Sequence, residues 1–381
     1  MIAAKRGSLW PCWFVSSLLI SWAWASESHA LKPLHRSWLA MSDPGLNRTD
    51  AQRVEQGYYE TLLSAGRSLD RIGADQSGKH ASGSDESQHP FKHGWLAEPS
   101  NDILEYRLKA DIAGSYWVDS HWSTNAFGMR DRLYERSKPE NVTRLALIGD
   151  SIGAGWGVTD GASFESLLEQ DLDQRAREQS GPRVEFLNFA VPGYAPGQRW
   201  EWFSRVGWEF HPDLAIYQAT PAEPGWDERR LRVLLPQGYG WDTACYRDAL
   251  RRSGVKPGGD SEYYKTRLRS YRREILEGVY RRVVEDCQRQ GIACLYVLTP
   301  RVGKPAGRAD CEDLLNLARE TGFAAVVDLS AAFDGIAPEQ LMVGPNDYHP
   351  NAMGHKLLAD RLRPYLEARP ELKSKGQGGR P

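Results

Sequence analysis

The sequence predicts a three-layer α/β sandwich, about five parallel strands covered by helices on both faces, behind an irregular, partly helical N-terminal extension. Three observations predict it. Beyond Thr143 short apolar runs recur with almost no polar interruption, as strands buried on both faces require. Longer stretches with apolar residues at helical spacing separate them. Strand and helix alternate, and a strand that returns beside its predecessor after a helical crossover makes a parallel sheet.

Taken in order, the chain opens with Lys5 and Arg6, an apolar stretch from Leu9 to Trp24, and Ala23-Trp24-Ala25, the small-x-small pattern of a signal peptidase site. Residues 1–25 are therefore expected to be a cleaved signal peptide and the chain to be secreted or held in the periplasm or cell envelope. The apolar run is shorter than the roughly 20 residues of a spanning helix, and no later segment is apolar enough to span. Residues 26–141 form the expected extension. Val54, Tyr58 and Leu62 recur at helical spacing, 73–89 is a Gly-, Ser- and charge-rich loop, and 95–132 alternates aromatic and aliphatic runs with turn residues, as extended segments or a hairpin do. The main domain is expected over 142–368. Its strands are read at 144–148, 184–189, 214–219, 293–298 and 324–329, and its helices at 163–177, 198–207, 263–290, 310–320 and 351–366. The Gly- and Lys-rich end, 369–381, reads as a disordered tail.

Composition narrows the classes. Of 381 residues, 48 are Lys or Arg and 50 Asp or Glu, a balance that offers no field for nucleic acid. Fourteen Trp and 16 Tyr suit both an aromatic core and the faces of sugars. Removal of the signal leaves Cys245, Cys287, Cys294 and Cys311, which in an oxidising compartment form up to two bridges and otherwise pack as buried thiols. Their spacing suggests no metal site, and no cofactor is expected. Gly153, Gly155 and Gly157 follow a strand but lack the dinucleotide spacing.

Two places carry chemistry. The first strand ends in Gly149-Asp150-Ser151, which puts a hydroxyl at the carboxyl edge of the sheet, where active sites of this architecture gather. Gly-Asp-Ser is also a common turn sequence. Asp347-Tyr348-His349-Pro350-Asn351 precedes the last helix; Pro350 and Asn351 read as a turn and N-cap, which leaves the Asp-x-His unexplained. A serine hydroxyl needs an adjacent base, His349, and that imidazole needs an orienting carboxylate, Asp347.

With these residues in place, the chain resembles the SGNH hydrolases, the GDSL esterases and lipases. Gly149-Asp150-Ser151, Gly193 in the stretch 188–193, and the Asp347/His349 pair carry the resemblance over about 143–366. It implies a flavodoxin-like sheet. It also implies Ser151 as nucleophile, His349 and Asp347 completing the triad, and an oxyanion bound by the N–H groups of Ser151 and Gly193 with an asparagine. Two departures stand out. The asparagine block is expected near 217–223, which contains none; Gln218 or Thr220 are candidate replacements, unless both merely end a strand. The family's usual aspartate position holds Asn346, one residue earlier than Asp347. The stretch 125–131 also resembles one found upstream of the serine in some exported relatives, where Arg130 would bind an anionic substituent of the substrate or serve as a structural ion-pair partner. His355 reads as a packing or capping residue. The expected substrate is a small acyl ester or an acylated carbohydrate; the rival reading is a non-catalytic module that binds glycan or a protein partner through the same cleft.

Overall fold

The computed structural model describes residues 96–372, apart from 113–114, 118–119, 305 and 345–346. The expected signal peptide, the stretch within 26–72 read as helical, the segment 73–89 read as a loop and the expected tail from 373 lie outside the described residues. Two short antiparallel hairpins come first: β1 (Ala97–Pro99) with β2 (Tyr106–Leu108), and β3 (Ser115–Trp117) with β4 (Ser120–Trp122). The extended segments read from the sequence are thus present, although 101–104 is turn rather than strand.

The central sheet has five parallel strands, β5 (Val142–Ile148), β6 (Arg183–Asn188), β7 (Leu214–Ala219), β8 (Ala293–Leu298) and β9 (Ala325–Asp328), in the order β6-β5-β7-β8-β9. That is the flavodoxin-like order, with the first strand inside and the sheet growing outward on both sides. All of β5 beyond Val142 is buried, so apolar side chains of both parities find cover. Leu145, Leu147, Leu214, Ile216, Leu295 and Val297 enter one core with α1 (Phe164–Glu178). Alternate residues face the other way: the rings of Tyr217 and Tyr296 lie 5.7 and 5.3 Å from Tyr280, on a helix of the opposite layer.

Helices follow where periodicity places them, and capping fixes several ends. Ser163 Oγ accepts the N–H of Ser166 at the start of α1, and α2 (Pro196–Val206) opens with proline in its first turn. Between β7 and β8 the crossover holds α3 (Trp226–Leu234), α4 (Arg247–Ser253), α5 (Ser261–Leu268) and α6 (Arg272–Arg289). The sequence reads 263–290 as one helix; it is broken at 269–271 by a 3-10 turn. Residues 269–274 contain no buried side chain, so no apolar stripe passes through them to hold the helix straight. α7 (Arg308–Thr321), the short α8 (Pro338–Leu341) and the hairpin β10 (Met342–Gly344)–β11 (Asp347–Pro350) lead to α9 (Ala352–Glu367), which Asn351 caps by accepting the N–H groups of Met353 and Gly354 at 3.0 and 3.1 Å. α9 adds Leu358 and Leu362 to the core beside α1.

Cys245, Cys287, Cys294 and Cys311 are buried and stand as free thiols in the structure. No helix of the described residues is long and apolar enough to cross a membrane.

Candidate active site

At the end of β5 the chain must turn tightly against its neighbours. A Cβ on Gly149 would lie 2.6 Å from Gln218 Oε1 and 3.3 Å from the Ala190 Cβ, so only glycine fits. Asp150 then locks the turn: its Oδ1 accepts the Ile152 N–H at 2.9 Å, and its own N–H donates to Gln218 Oε1 at 3.0 Å. Ser151, 9% exposed, is presented above the sheet edge. From the far end of the domain β11 brings the other two groups. Residues two apart on a strand face the same way, so Asp347 and His349 point together toward the serine.

His349 Nε2 lies 2.7 Å from Ser151 Oγ. On the other side of the ring, Nδ1 lies 2.5 Å from Asp347 Oδ1, which also accepts the His349 backbone N–H at 3.1 Å. Asp347 Oδ2 accepts the indole N–H of Trp156 at 3.3 Å. Burial alone would raise the Asp347 carboxyl, but the hydrogen bonds and charge of His349, with help from Trp156, outweigh it and hold the group below the usual carboxylate range. An ionised Asp347 keeps the proton on Nδ1 and leaves Nε2 as acceptor for the serine proton.

The positive φ of Gly193, 81°, marks the turn after β6. That turn is fastened to the loop that carries Ser151: Val191 N–H donates to Gly149 O at 3.2 Å, and Asn188 Nδ2 donates to Gly153 O at 3.0 Å. Neither the Ser151 nor the Gly193 N–H donates to a group among the described residues, so both are available to an incoming oxyanion.

The other candidates divide. Gln218 has its amide engaged: its Oε1 accepts the Asp150 N–H at 3.0 Å and its Nε2 donates to Thr299 Oγ1 at 2.8 Å, which makes it a strut between β7, β8 and the turn that carries Ser151. Thr220 is buried at the end of β7, where its carbonyl accepts the Glu223 N–H, and its hydroxyl has no hydrogen-bond partner among the described residues. Arg130 takes the structural role that the sequence left open for it. Its side chain, 4% exposed, donates to the carbonyls of Ala154, Gly155 and Val158 and pairs with Asp160 at 3.4 Å. His355 is wholly buried; burial first, then the charges of Arg130 and His349, push it down to about 3, and the neutral ring accepts the Phe164 N–H through Nδ1 at 3.1 Å. It is the packing residue expected.

Sequence reasoning missed the charged layer beneath the serine. Arg199, fully enclosed, donates to Asp150 Oδ2 at 3.1 Å and to Glu223 Oε1, and Glu223 Oε2 accepts the Tyr280 hydroxyl. Glu223 lies within the stretch where the asparagine block was sought, so the signal was a buried acid in that place. Burial raises the Glu223 carboxyl to about 7 against the opposing pull of Arg199. The folded chain thus keeps a proton that the unfolded chain releases near 4.5, and this group's contribution falls as pH rises from about 4.5 to about 7. Glu223→Gln is expected to reduce the loss of thermal midpoint between pH 5 and pH 8; an unchanged slope in calorimetry would exclude this assignment.

Among the described residues, one group of acids could approach a metal ion: Asp131, Glu165 and Glu169 bring oxygens within 4.8 Å of one another. Asp131 and Glu169 are occupied by the Tyr134 hydroxyl, and Glu169 also by Arg132. Burial, then mutual repulsion, drives Asp131 and Glu165 upward, so protons fit this donor set better than a cation.

Fold and site together define an α/β protein with a serine-histidine-aspartate relay at the carboxyl edge of a parallel sheet. No protein-family model matches the sequence, and no curated protein matches it. Solved structures similar to the chain include an alpha/beta hydrolase from the metagenome of Lake Arreo, 20% identical, covering 61% of this chain and 97% of its own, with a TM-score of 0.37. An acetylxylan esterase from Geobacillus stearothermophilus is 16% identical over 61% of this chain and 97% of its own, with a TM-score of 0.38. A lipolytic protein of the G-D-S-L family from Desulfitobacterium hafniense is 15% identical over 58% and 98%, with a TM-score of 0.37.

Proposed function

We propose that the chain is an exported serine esterase that hydrolyses a small O-acyl ester, with an O-acetyl group on a carbohydrate as the substrate class. The observation that carries the reading is the unbroken relay from Ser151 Oγ through His349 to Asp347, with spacings of 2.7 and 2.5 Å. Such a relay raises the nucleophilicity of an otherwise weak hydroxyl. Ser151 and His349 are only 9% and 7% exposed, which favours a slender acyl group at the reacting carbon.

In the reaction, Ser151 Oγ bonds to the ester carbonyl carbon as His349 Nε2 takes its proton. The carbonyl oxygen becomes an anion facing the N–H groups of Ser151 and Gly193, with the Thr220 hydroxyl as a candidate third donor in place of the asparagine. Collapse breaks the bond to the alcohol oxygen, which leaves with the proton from His349. Water then adds to the acyl-serine by the same path, and the acid departs. Asp347 offsets the charge on the imidazolium in both halves.

A fluorophosphonate probe tests the reading. One adduct is expected on the folded chain, mapped to the peptide containing Ser151, with no labelling after heat denaturation. Absence of labelling while a control serine hydrolase reacts would favour the non-catalytic module instead. Acetyl esters should be turned over faster than long-chain esters of the same alcohol.

A further inference from the structure

We propose that Trp156 is a positioning residue that fixes the Asp347 carboxylate, and that residues 120–134, upstream of the sheet, hold Trp156 in place. The proposal rests on the esterase reading for its kinetic test but on the geometry for its structure. Asp347 has two oxygens and only one serves His349; Oδ2 is held by the Trp156 indole N–H at 3.3 Å. The same indole lies 5.7 Å from the imidazole, centroid to centroid, at 40°. Trp156 therefore touches both members of the pair that must keep their mutual angle, while lying in the loop that carries the nucleophile.

Trp156 is 1% exposed, and its surroundings come from two directions. On one side Trp122, at the end of β4, meets it edge to face at 6.2 Å and 80°, and the Arg130 guanidinium lies 4.2 Å over the Trp122 ring. Arg130 also gathers the carbonyls of Ala154, Gly155 and Val158, which flank Trp156. A Cβ on Gly155 would strike Arg130 Nη1, so the guanidinium needs that glycine. On the other side, a Cβ on Gly157 would lie 2.5 Å from Val343 Cγ1, which shows how closely the loop is pressed on β10, the partner strand of β11.

The upstream segment has its own lock. Asn125 Oδ1 accepts the N–H groups of Phe127 and Met129 at 2.9 and 3.1 Å, with Gly128 at φ 73°, which directs Arg130 inward. Asp160, which closes the nucleophile loop, accepts the Ser123 hydroxyl at 2.6 Å. Chain outside the sheet thereby sets the orientation of the catalytic acid. A hydrogen-bond donor on the far oxygen of such a carboxylate limits its rotation and so the direction of the imidazole.

The test uses the full exported chain with Trp156→Phe, which keeps a ring and deletes the donor, and with Trp122→Phe. Two quantities are read: acetyl-ester kinetics per folded molecule, and the downfield proton resonance of the His349 Nδ1–H. Trp156→Phe is expected to lower kcat about tenfold with KM changed by less than about twofold. The resonance is expected to shift or broaden, and Trp122→Phe to do the same more weakly. A core residue without a positioning role would lower the melting temperature and leave kcat and the resonance as they were, and that result overturns the proposal. If the unaltered chain turns over no ester, the function reading fails by itself. The resonance then decides alone: moved in Trp156→Phe supports positioning, unmoved refutes it.

Discussion

Replacing Ser151 by alanine is expected to lower ester turnover by about a million-fold, the loss seen when the nucleophile of such a relay is removed. Among the described residues Ser151 Oγ is the hydroxyl at 2.7 Å from His349 Nε2, and the turn that presents it is set by Gly149 and Asp150 rather than by the hydroxyl. The fold should therefore survive, with circular dichroism and thermal midpoint close to those of the unaltered chain. What remains is catalysis by the N–H groups of Ser151 and Gly193, which alanine at 151 does not delete. Fluorophosphonate labelling should vanish with turnover. Turnover within tenfold of the unaltered chain, measured as hydrolysis of a simple acetyl ester, would remove Ser151 from the chemistry.

How much of this was legible depended on whether a feature is local. The sheet strands were, because burial on both faces forces contiguous apolar residues: 214–219 and 293–298 coincide with β7 and β8 to the residue. The serine and histidine were legible because they stand at element ends, one after β5 and one before α9. Asp347 required knowing that residues 347–349 run extended, since only strand geometry turns residues two apart to one side. Arg130 and Gln218 stayed open between a site role and a structural one for the opposite reason. Both are polar residues near the carboxyl edge of the sheet, and only the folded arrangement shows where their donors go, the Arg130 Nη1 and Nη2 groups to three carbonyls and Gln218 Nε2 to Thr299. The Arg199, Asp150 and Glu223 cluster has no periodic signature at all; it forms because α2 and the stretch after β7 meet beneath the turn that carries Ser151.

Asp347→Asn is the sharper trial of the site, because it alters no shape and leaves the serine and the base in place. A fall in kcat of about 10⁴-fold is expected, with KM little changed. Asp347 now accepts from three directions: the His349 Nδ1–H and backbone N–H on Oδ1, and the Trp156 indole N–H on Oδ2. An asparagine has one carbonyl oxygen for these two positions. With that oxygen toward His349, the amide NH2 is set against the indole N–H, two donors face to face. With it toward Trp156, the NH2 points at Nδ1, which must then accept, so the ring carries its proton on Nε2 and cannot take one from Ser151. Either way the site loses the negative charge that balances the imidazolium during attack. The two orientations differ in one observable: only the second abolishes the downfield Nδ1–H resonance. Retention of more than a tenth of the turnover would mean that the carboxylate merely packs beside the base, and that His349 is oriented by other contacts.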